Sequence, residues 1–302
     1  MDGLEWIAAD WGTSNLRVWA LDGAGAVIAQ AGSDKGMGRL ERDQYETAML
    51  DLVGDWLPEG RETPVMVCGM AGARQGWVEA PYLTVPCRPG DTSIRVTTHD
   101  PRLSVRILPG VCQMNPADVM RGEETQIRGV LRTNPGFSGV ICLPGTHSKW
   151  VDVAGGQIVR FKTYMTGELF ALLGEQSVLR HSVGADGMDG AAFAAGVRDG
   201  VFQPQRVLGS LFSLRAQSLL NPPQPAAARA RLSGLLIGAE LADAEPFWKG
   251  REVILLGAPA LAKAYETALA VQGVEPERAD NDRMTLAGLQ AAYGSQKDAA
   301  NV

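Results

Sequence analysis

The chain has 302 residues, a length that usually divides into two domains; 45% of the residues are hydrophobic and 21% are charged. This composition is typical of a globular protein and excludes a disordered chain, a coiled coil and a collagen-like fibre. The 28 Lys and Arg residues against 34 Asp and Glu give a net charge of −6, which argues against binding to a nucleic-acid phosphate backbone.

Three consecutive antiparallel strands are predicted at the start of the chain, over residues 6–10, 16–21 and 26–31. The first is a short apolar run, and the second partly alternates apolar with other residues, as a sheet strand does. Tight turns at Gly12-Thr13-Ser14 and Asp22-Gly23-Ala24-Gly25 join them. We then expect an amphipathic helix over residues 43–57 and an apolar strand over 64–70. A Gly-rich loop through Gly76 and a second helix over 123–131 follow.

The same order of signals returns in mid-chain. An apolar strand over residues 139–143 leads into a turn at 144–149, and strands over 150–153 and 157–162 follow with a Gly-rich turn between them. Each half therefore begins with strand, Gly-Thr turn, strand, Gly-rich turn and strand. This agreement favours an internal duplication over coincidence.

The rest of the chain alternates helices with one buried strand, so that the pattern is α/β throughout. A proline-rich connector over 221–225 is neither helix nor central strand. The buried strand covers 251–256, and the predicted helices lie around residues 167–173, 190–196, 217–220, 232–242, 261–271 and 285–293.

Cysteine and histidine spacing indicates no structural zinc site, because the sequence has no C-x-x-C pair and no histidines at i and i+4. The N-terminus lacks a basic region followed by an apolar one, and no stretch approaches eighteen apolar residues. We therefore expect a cytoplasmic protein with reduced thiols and with no membrane or nucleic-acid partner.

The first Gly-Thr turn has the residues of a phosphate-binding loop. Glycine permits a tight connection, and the hydroxyls of Thr13 and Ser14 with the exposed N–H groups can hold phosphate oxygens. Asp10, at the end of the first strand, suits a hard cation such as Mg²⁺. A plain hairpin turn with an Asp side chain bonded to its own backbone is the alternative.

The second Gly-Thr turn, Gly145-Thr146-His147-Ser148-Lys149, ends in a lysine that can reach a phosphate. It is neither a Walker A loop nor a nucleophile elbow, because the spacing differs in both cases. Such a histidine alone, here His147, is more often a turn residue than a catalyst. Two such hairpins in a duplicated fold can hold one triphosphate from both sides of a cleft, so their joint occurrence is the informative signal.

Two further segments have a structural and a functional interpretation. The sequence 257–260 follows a buried strand and precedes a helix, where open α/β sheets bind ligands, although an ordinary turn explains it equally. Glu123 and Glu124 open a predicted helix, where carboxylates favour the helix dipole. A carboxylate there can also accept the proton of an alcohol that attacks a phosphoryl group.

In these motifs the chain resembles the actin/Hsp70/sugar-kinase superfamily and, more narrowly, the 2-dehydro-3-deoxygalactonokinase family. The resemblance implies an α/β, duplicated actin-like (ribonuclease H-like) two-domain sugar-kinase fold with an interdomain cleft. The narrower matches run in order across most of the chain, at residues 10–17, 69–72, 76–77, 80–83, 120–126, 144–151, 165–169 and 233–240.

The resemblance implies transfer of the ATP γ-phosphate to the 6-hydroxyl of 2-dehydro-3-deoxy-D-galactonate in D-galactonate catabolism. Residues 1–135 would form an N-terminal domain with the sugar-acid site and the first phosphate loop. Residues 136–302 would carry the second phosphate loop and the adenosine site. The two would join near residues 132–139, with Mg-ATP bound in the cleft.

The family's site residues carry over unevenly. By register, Glu123 takes the place of the catalytic aspartate of related sugar kinases, with Glu124 as its neighbouring alternative and Asp10 as the Mg²⁺ residue. The expected ATP-binding residues are Asp10, Gly12, Thr13, Ser14, Gly145, Thr146, Ser148, Lys149, Gly257, Ala258 and Pro259. The expected sugar-acid residues are Arg39, Arg121, Trp77 and Tyr82, with surface solvation as the alternative for the two arginines.

Two other functions remain open from the sequence: a kinase for a different sugar acid, and a non-catalytic nucleotide-binding sensor of the same superfamily. A repressor of the sugar-kinase type needs a DNA-binding extension, and the chain opens directly with its first strand. The sequence also leaves open a homo-oligomer.

Overall fold

A computed structural model of the chain describes residues 1–184 and 187–300. It forms two compact units. Unit 1 contains Met1–Phe137, Ala154–Arg160 and the C-terminal segment from Asp280, and unit 2 contains Ser138–Val153 and Phe161–Ala279. None of the described helices is long and apolar enough to cross a bilayer.

The strands are numbered in chain order. They are β1 (Trp6–Trp11), β2 (Leu16–Leu21), β3 (Val27–Ser33), β4 (Thr63–Gly69), β5 (Tyr82–Thr84), β6 (Ile94–Arg95), β7 (Leu103–Ile107), β8 (Gly110–Met114), β9 (Ala117–Met120), β10 (Gly139–Leu143), β11 (Ser148–Ala154), β12 (Gln157–Tyr164), β13 (Val253–Leu256) and β14 (Glu277–Ala279).

The helices are numbered in the same way. They are α1 (Tyr45–Val53), α2 (Glu123–Thr133), α3 (Thr166–Glu175), α4 (Gly190–Phe202), α5 (Val207–Leu220), α6 (Pro225–Asp243), α7 (Glu245–Trp248), α8 (Pro259–Ala270) and α9 (Asn281–Ala300).

The main sheet of unit 1 has the strand order β3-β2-β1-β4-β7-β6. β1 is antiparallel to β2 and parallel to β4, so it lies inside the sheet with both edges paired. Alternate residues of β1 face different layers, because Ile7 packs in one core with Tyr45 of α1, whereas Ala8 packs in another with Leu289 of α9. The continuous apolar sequence of β1 follows from this double burial.

The sheet that contains β10 has the order β12-β11-β10-β13-β14. β10 is antiparallel to β11 and parallel to β13, which repeats the relation of β1 to β2 and β4. The order of these five strands thus matches β3-β2-β1-β4-β7 of unit 1. This repeated topology confirms the duplication that the turn pattern predicts.

The last helix differs from the predicted domain limits. α9 belongs to unit 1, although the sequence groups residues 136–302 together. A Cβ at Gly129 of α2 would overlap the Met284 carbonyl oxygen, and one at Gly288 of α9 would overlap the Thr125 carbonyl oxygen. The two helix backbones therefore touch, and α9 covers the sheet of unit 1.

Candidate active site

The first Gly-Thr hairpin, between β1 and β2, is hydrogen-bonded to the segment 36–38. The Gly12 carbonyl accepts the Met37 N–H at 3.0 Å, and the Thr13 carbonyl accepts the Gly38 N–H at 2.9 Å. With its carbonyls directed inward, the loop exposes the side chains of Thr13 and Ser14. They border a surface depression of about 640 Å³ that Asp10 also lines. This arrangement is compatible with a phosphate-binding turn.

Asp10 is partly buried and has partners on both carboxylate oxygens. Its Oδ2 is 2.6 Å from Arg17 Nη2, and its Oδ1 accepts the thiol of Cys68 at 3.7 Å. Burial, followed by the nearby charges of Asp10 and Glu124, raises the pKa of Cys68 well above its ordinary value. The thiol therefore stays protonated and can donate to Asp10. Arg17 was absent from the predicted site, although a tight hairpin places it opposite Asp10.

The start of α2 lies close to this carboxylate. Gly122 has φ +107° and Gly69 has φ +89°, conformations that favour glycine. A Cβ at Gly122 would lie 3.6 Å from Gly69 Cα, and a Cβ at Gly69 would lie 3.5 Å from Asp10 Oδ1. The two glycines thus let the N-terminus of α2 approach the end of β1. The helix begins at Glu123, as predicted.

The two glutamates that open α2 have different environments. Glu124 is 1% exposed, and its Oε2 accepts the Gly122 N–H at 2.6 Å. Burial, followed by the charge of Glu123, raises the pKa of Glu124 to about 8. Glu123 is half-buried and its Oε2 accepts the Arg121 N–H at 3.1 Å. A substrate can reach Glu123 more easily than Glu124, which holds its proton at neutral pH.

Arg121 lies in a tight slot of unit 1. Its guanidinium stands 4.4 Å from the Tyr82 ring centroid, and Nη2 donates to the Ala80 carbonyl at 2.8 Å. A Cβ at Gly72 would lie 2.8 Å from Nη1. Among the described residues, Nε and Nη1 of Arg121 are buried without a hydrogen-bond partner. Two unused donors on one cation leave capacity for an anion.

The other predicted sugar-acid residues have different surroundings. Arg39 is 63% exposed and pairs with Asp34. Trp77 is 7% exposed and packs against Trp11 and Tyr45, with ring centroids 5.9 and 6.0 Å away. The contacts of Trp77 are those of a core side chain. The roles of Arg39 and Trp77 in binding a sugar acid stay predictions.

The second Gly-Thr hairpin, in unit 2, is more buried than the first. Ser148 is fully buried, with its hydroxyl 2.7 Å from that of Tyr265. Lys149 is 4% exposed and its Nζ donates to the His147 carbonyl at 3.4 Å. Thr146 is exposed, and its carbonyl accepts the Glu168 N–H at 2.9 Å. The loop therefore presents Gly145 and Thr146 outward and keeps Ser148 and Lys149 inside.

A mostly apolar pocket of about 250 Å³ lies beside this hairpin in unit 2. Its walls come from the loop, from α3, from the segment before α4, and from α6 and α8. The lining residues are Gly145, Thr166, Gly167, Phe170, Gly187, Met188, Arg229, Ser233, Leu236, Ile237, Ala260, Leu261, Ala264 and Tyr265. The guanidinium of Arg229 stands 4.8 Å from the Phe170 ring centroid. Such a pocket suits a flat aromatic ligand.

The predicted adenosine segment lies at the edge of this pocket. A Cβ at Gly257 would lie 3.0 Å from the Pro144 carbonyl oxygen, so Gly257 allows β13 to approach the hairpin. The next residues that line the pocket are Ala260 and Leu261, in the first turn of α8. Gly257, Ala258 and Pro259 are not among the residues that line the pocket, and their role in binding adenosine stays a prediction.

Comparisons with known proteins cover nearly the whole chain. The family model described as 2-keto-3-deoxy-galactonokinase matches residues 10–292. The chain is 40% identical, over 94% of its length and 95% of the relative, to a Rhizobium meliloti protein designated a probable 2-dehydro-3-deoxygalactonokinase. It is 34% identical to the 2-dehydro-3-deoxygalactonokinase of Escherichia coli, over 95% of this chain and 96% of the relative.

A solved structure agrees with this assignment. The crystal structure of a protein described as a 2-dehydro-3-deoxygalactonokinase from Sinorhizobium meliloti superposes with a TM-score of 0.87 at 39% identity, and the match covers 95% of each chain. The chain is therefore a member of the 2-keto-3-deoxy-galactonokinase family.

Proposed function

We propose that the protein transfers the γ-phosphate of ATP to the 6-hydroxyl of 2-dehydro-3-deoxy-D-galactonate, a step in D-galactonate catabolism. The observation that carries the proposal is the family match over residues 10–292, which spans both units. The geometry of each unit supports a phosphotransferase: a partly buried carboxylate beside a Gly-Thr hairpin in unit 1, and a Gly-Thr hairpin beside an apolar pocket in unit 2.

Glu123 is the proposed general base. Phosphoryl transfer to an alcohol requires a carboxylate that accepts the hydroxyl proton as the oxygen attacks. Glu123 is accessible, whereas Glu124 is buried and accepts the Gly122 N–H. The raised pKa of Glu124, to about 8, leaves that neighbour neutral, so it does not compete for the same proton. The N-terminus of α2 stabilises the charge of Glu123.

Asp10 fits a magnesium ion that arrives with the nucleotide. Among the described residues, no group of three or more His, Cys, Asp or Glu side chains could hold a resident metal. Mg²⁺ bound to nucleotide phosphates needs only one or two carboxylates, because phosphates and water fill its other positions. Asp10, at the end of β1 beside Thr13, would supply that carboxylate. The ion would neutralise charge on the phosphates.

The remaining nucleotide contacts are proposed for both Gly-Thr hairpins and the pocket of unit 2. Backbone N–H groups and the hydroxyls of Thr13, Ser14 and Thr146 would bind phosphate oxygens, and Lys149 would add positive charge near them. The adenine ring would enter the apolar pocket between Phe170 and Ala264. Ser148 would act inside the loop, because its hydroxyl is committed to Tyr265.

Arg121 is the proposed partner of the substrate carboxylate. A guanidinium donates charge-assisted hydrogen bonds to a carboxylate, and Nε and Nη1 of Arg121 are buried with no partner among the described residues. Tyr82 covers one face of the same guanidinium and is itself 41% exposed. Together they would form one wall of the sugar-acid site.

A coupled assay of ADP release tests the activity. ATP with Mg²⁺ is offered with 2-dehydro-3-deoxy-D-galactonate, with its C4 epimer and with D-galactonate, and the product is located by ³¹P NMR. We expect turnover with the first compound and a phosphate on its 6-oxygen. Faster turnover with the epimer would reassign the enzyme to a different sugar acid. ATP binding without turnover on any of the three would indicate a nucleotide sensor.

A further inference from the structure

Glu240 of α6 is a buried carboxylate to which the proposed chemistry gives no role. It is 3% exposed. Its Oε1 accepts the indole N–H of Trp150 at 2.8 Å, and its Oε2 accepts the Tyr265 hydroxyl at 2.7 Å and also the Thr166 hydroxyl. These donors belong to β11, α8 and α3. One carboxylate therefore joins four elements of unit 2.

The carboxylate also sets the direction of a hydroxyl chain. Three donors converge on the two carboxylate oxygens of Glu240, and the Tyr265 hydroxyl is one of them, so its proton points at Glu240. The Tyr265 oxygen then accepts from Ser148, whose hydroxyl is 2.7 Å away. Ser148 thus directs its proton into the protein, away from the outer surface of the second Gly-Thr hairpin. A neutral side chain at position 240 would allow the opposite direction.

A second connection runs from Glu240 to the hairpin through the first residues of α3. Thr166 donates to Glu240, and the next residue, Gly167, packs on the loop, since a Cβ there would overlap the Gly145 carbonyl oxygen. Glu168 then donates its N–H to the Thr146 carbonyl at 2.9 Å. Both ends of the hairpin are therefore tied to Glu240, one through Ser148 and the other through α3.

Burial of the Glu240 carboxylate is not an efficient way to stabilise the core of unit 2. Among the described residues, the hydrogen-bond donors to Glu240 are an indole and two hydroxyls, and none is a cation. Burial raises the pKa of Glu240, and the bonds from Thr166, Tyr265 and Trp150 oppose that rise. Removing a carboxylate from water costs free energy that its hydrogen bonds offset only in part, so its burial is weak evidence for a contribution to stability. A requirement for fixed hydrogen-bond direction explains the carboxylate better than stability does.

We propose that Glu240 is a positioning residue that fixes the second Gly-Thr hairpin and the adjoining pocket wall in their nucleotide-binding form. It acts through Tyr265 and Ser148 at one end of the loop and through Thr166 and Gly167 at the other, without touching the nucleotide. The inference rests on the proposed function only to the extent that this hairpin binds ATP phosphates. It does not depend on which sugar acid is the acceptor.

The test measures ATP affinity by calorimetry in the absence of sugar acid, so that binding is measured separately from turnover. Glu240→Gln keeps the shape of the side chain but lets its amide donate to Tyr265, which reverses the hydroxyl chain. We expect ATP to bind about tenfold more weakly, comparable to the loss of one hydrogen bond to a charged group. The KM for the sugar acid should stay within about twofold of the native value.

Matched variants distinguish positioning from loss of stability. Trp150→Phe removes a donor to Glu240, whereas Trp248→Phe removes an indole bond to the Leu241 carbonyl elsewhere in the same unit. Equal loss of melting temperature, with weaker ATP binding only for Trp150→Phe, supports the inference. If Glu240→Gln fails to fold, Trp150→Phe replaces it with the same expected loss, because Trp150 donates to Glu240 and is not among the residues that line the pocket.

Three outcomes bear on the proposal. Native ATP affinity in folded Glu240→Gln, or in Trp150→Phe as its replacement, would overturn the positioning role and leave the proposed kinase activity standing. Weaker ATP binding in these variants, together with a wild-type protein that phosphorylates no sugar acid, would support the positioning role and overturn the proposed function. An unaltered hairpin in a crystal structure of folded Glu240→Gln would also overturn the inference.

Discussion

Asp10 and Arg17 face each other across the ladder of β1 and β2, and their side chains form an ion pair of 2.6 Å. The same arginine also pairs with Asp282 in α9. The carboxylate proposed to bind Mg²⁺ is therefore held in advance by a cation of its own hairpin. Arg17 keeps Asp10 in one orientation and also competes with the metal for its charge.

Arg17→Met should increase the affinity of the active complex for Mg²⁺. Without the arginine, the negative charge of Asp10 is no longer neutralised, and we expect the half-saturating Mg²⁺ concentration to fall by about fivefold, equal to about 1 kcal/mol. A titration of the initial rate against Mg²⁺ at saturating ATP measures this half-saturating concentration. Asp282→Asn is the control, because Asp282 is 68% exposed and exposed ion pairs contribute little. An unchanged titration for Arg17→Met would contradict competition between Arg17 and the metal, and an unchanged titration for Asp10→Asn would contradict the metal role of Asp10.

Glu123→Gln should lower kcat by about 10² to 10⁴ with ATP affinity nearly unchanged, since a general base contributes a factor of this size. Glu124→Gln should have a much smaller effect, because that side chain is buried and neutral at pH 7. Single-turnover rates with 2-dehydro-3-deoxy-D-galactonate compare the two. The reverse ranking would transfer the role to Glu124, and near-native rates in the double variant would leave both residues as helix caps.

The raised pKa of Glu124 predicts a stability that falls as the pH rises. The folded protein favours the protonated carboxyl, so its stabilising contribution is complete below the ordinary pKa of 4.5 and is lost as the pH passes through about 8. Glu124→Gln cannot ionise. Its free energy of unfolding, measured in urea, should gain at least about 2 kcal/mol over wild type between about pH 5 and pH 8. Parallel curves would place the ionisation elsewhere.

Changes in the pocket of unit 2 should alter the affinity for the nucleotide and leave the affinity for the sugar acid unchanged. Arg229→Ala and Phe170→Ala each remove one partner of the stacked pair, and we expect the KM for ATP to rise about tenfold with the KM for the sugar acid unchanged. Arg231→Ala is the matched control, because Arg231 lies on the same helix and pairs with exposed Asp199. A loss confined to the sugar-acid KM would remove adenine from this pocket.

Contact between α2 and α9 should not tolerate a methyl group. Gly129→Ala would overlap the Met284 carbonyl oxygen, so we expect unfolding to become easier by about 3 kcal/mol or more. Gly294→Ala in α9 meets nothing within 4 Å and should stabilise the helix by about 0.5 to 1 kcal/mol. Thermal unfolding of both variants measures the contrast. Equal melting temperatures would show that the two helices are not in backbone contact.

Local signals explain what the sequence predicts well. The start of α2 at Glu123 follows from Gly122, whose positive φ ends the preceding segment. Gly234 and Gly238 of α6 are four residues apart, a spacing that favours close helix packing, and both meet the backbone of α4. The first two strands follow from their apolar runs and from the tight turn between them.

Short strands, incomplete helix signals and contacts between distant residues account for what the sequence could not predict. Strands β5 to β9 were missed because they have two to five residues each, too few for a readable alternation. Helix α5 covers Val207–Leu220, whereas only 217–220 was predicted. Phe170 and Arg229 lie on different helices and meet only in the folded unit. The hydrogen bond of buried Ser148 likewise depends on Tyr265, which lies 117 positions further along the chain.

The contact of Gly129 with the backbone of Met284 also constrains how the protein is made. The ribosome releases α2 long before α9, and the whole of unit 2 emerges between them. The helix that carries Glu123 therefore cannot pack against α9 until that helix has been synthesised. Unit 2 can close during synthesis, whereas unit 1 is completed only after it. A nascent chain that stops before Asn281 would consequently expose the bare face of its sheet around Ala8 and Cys68.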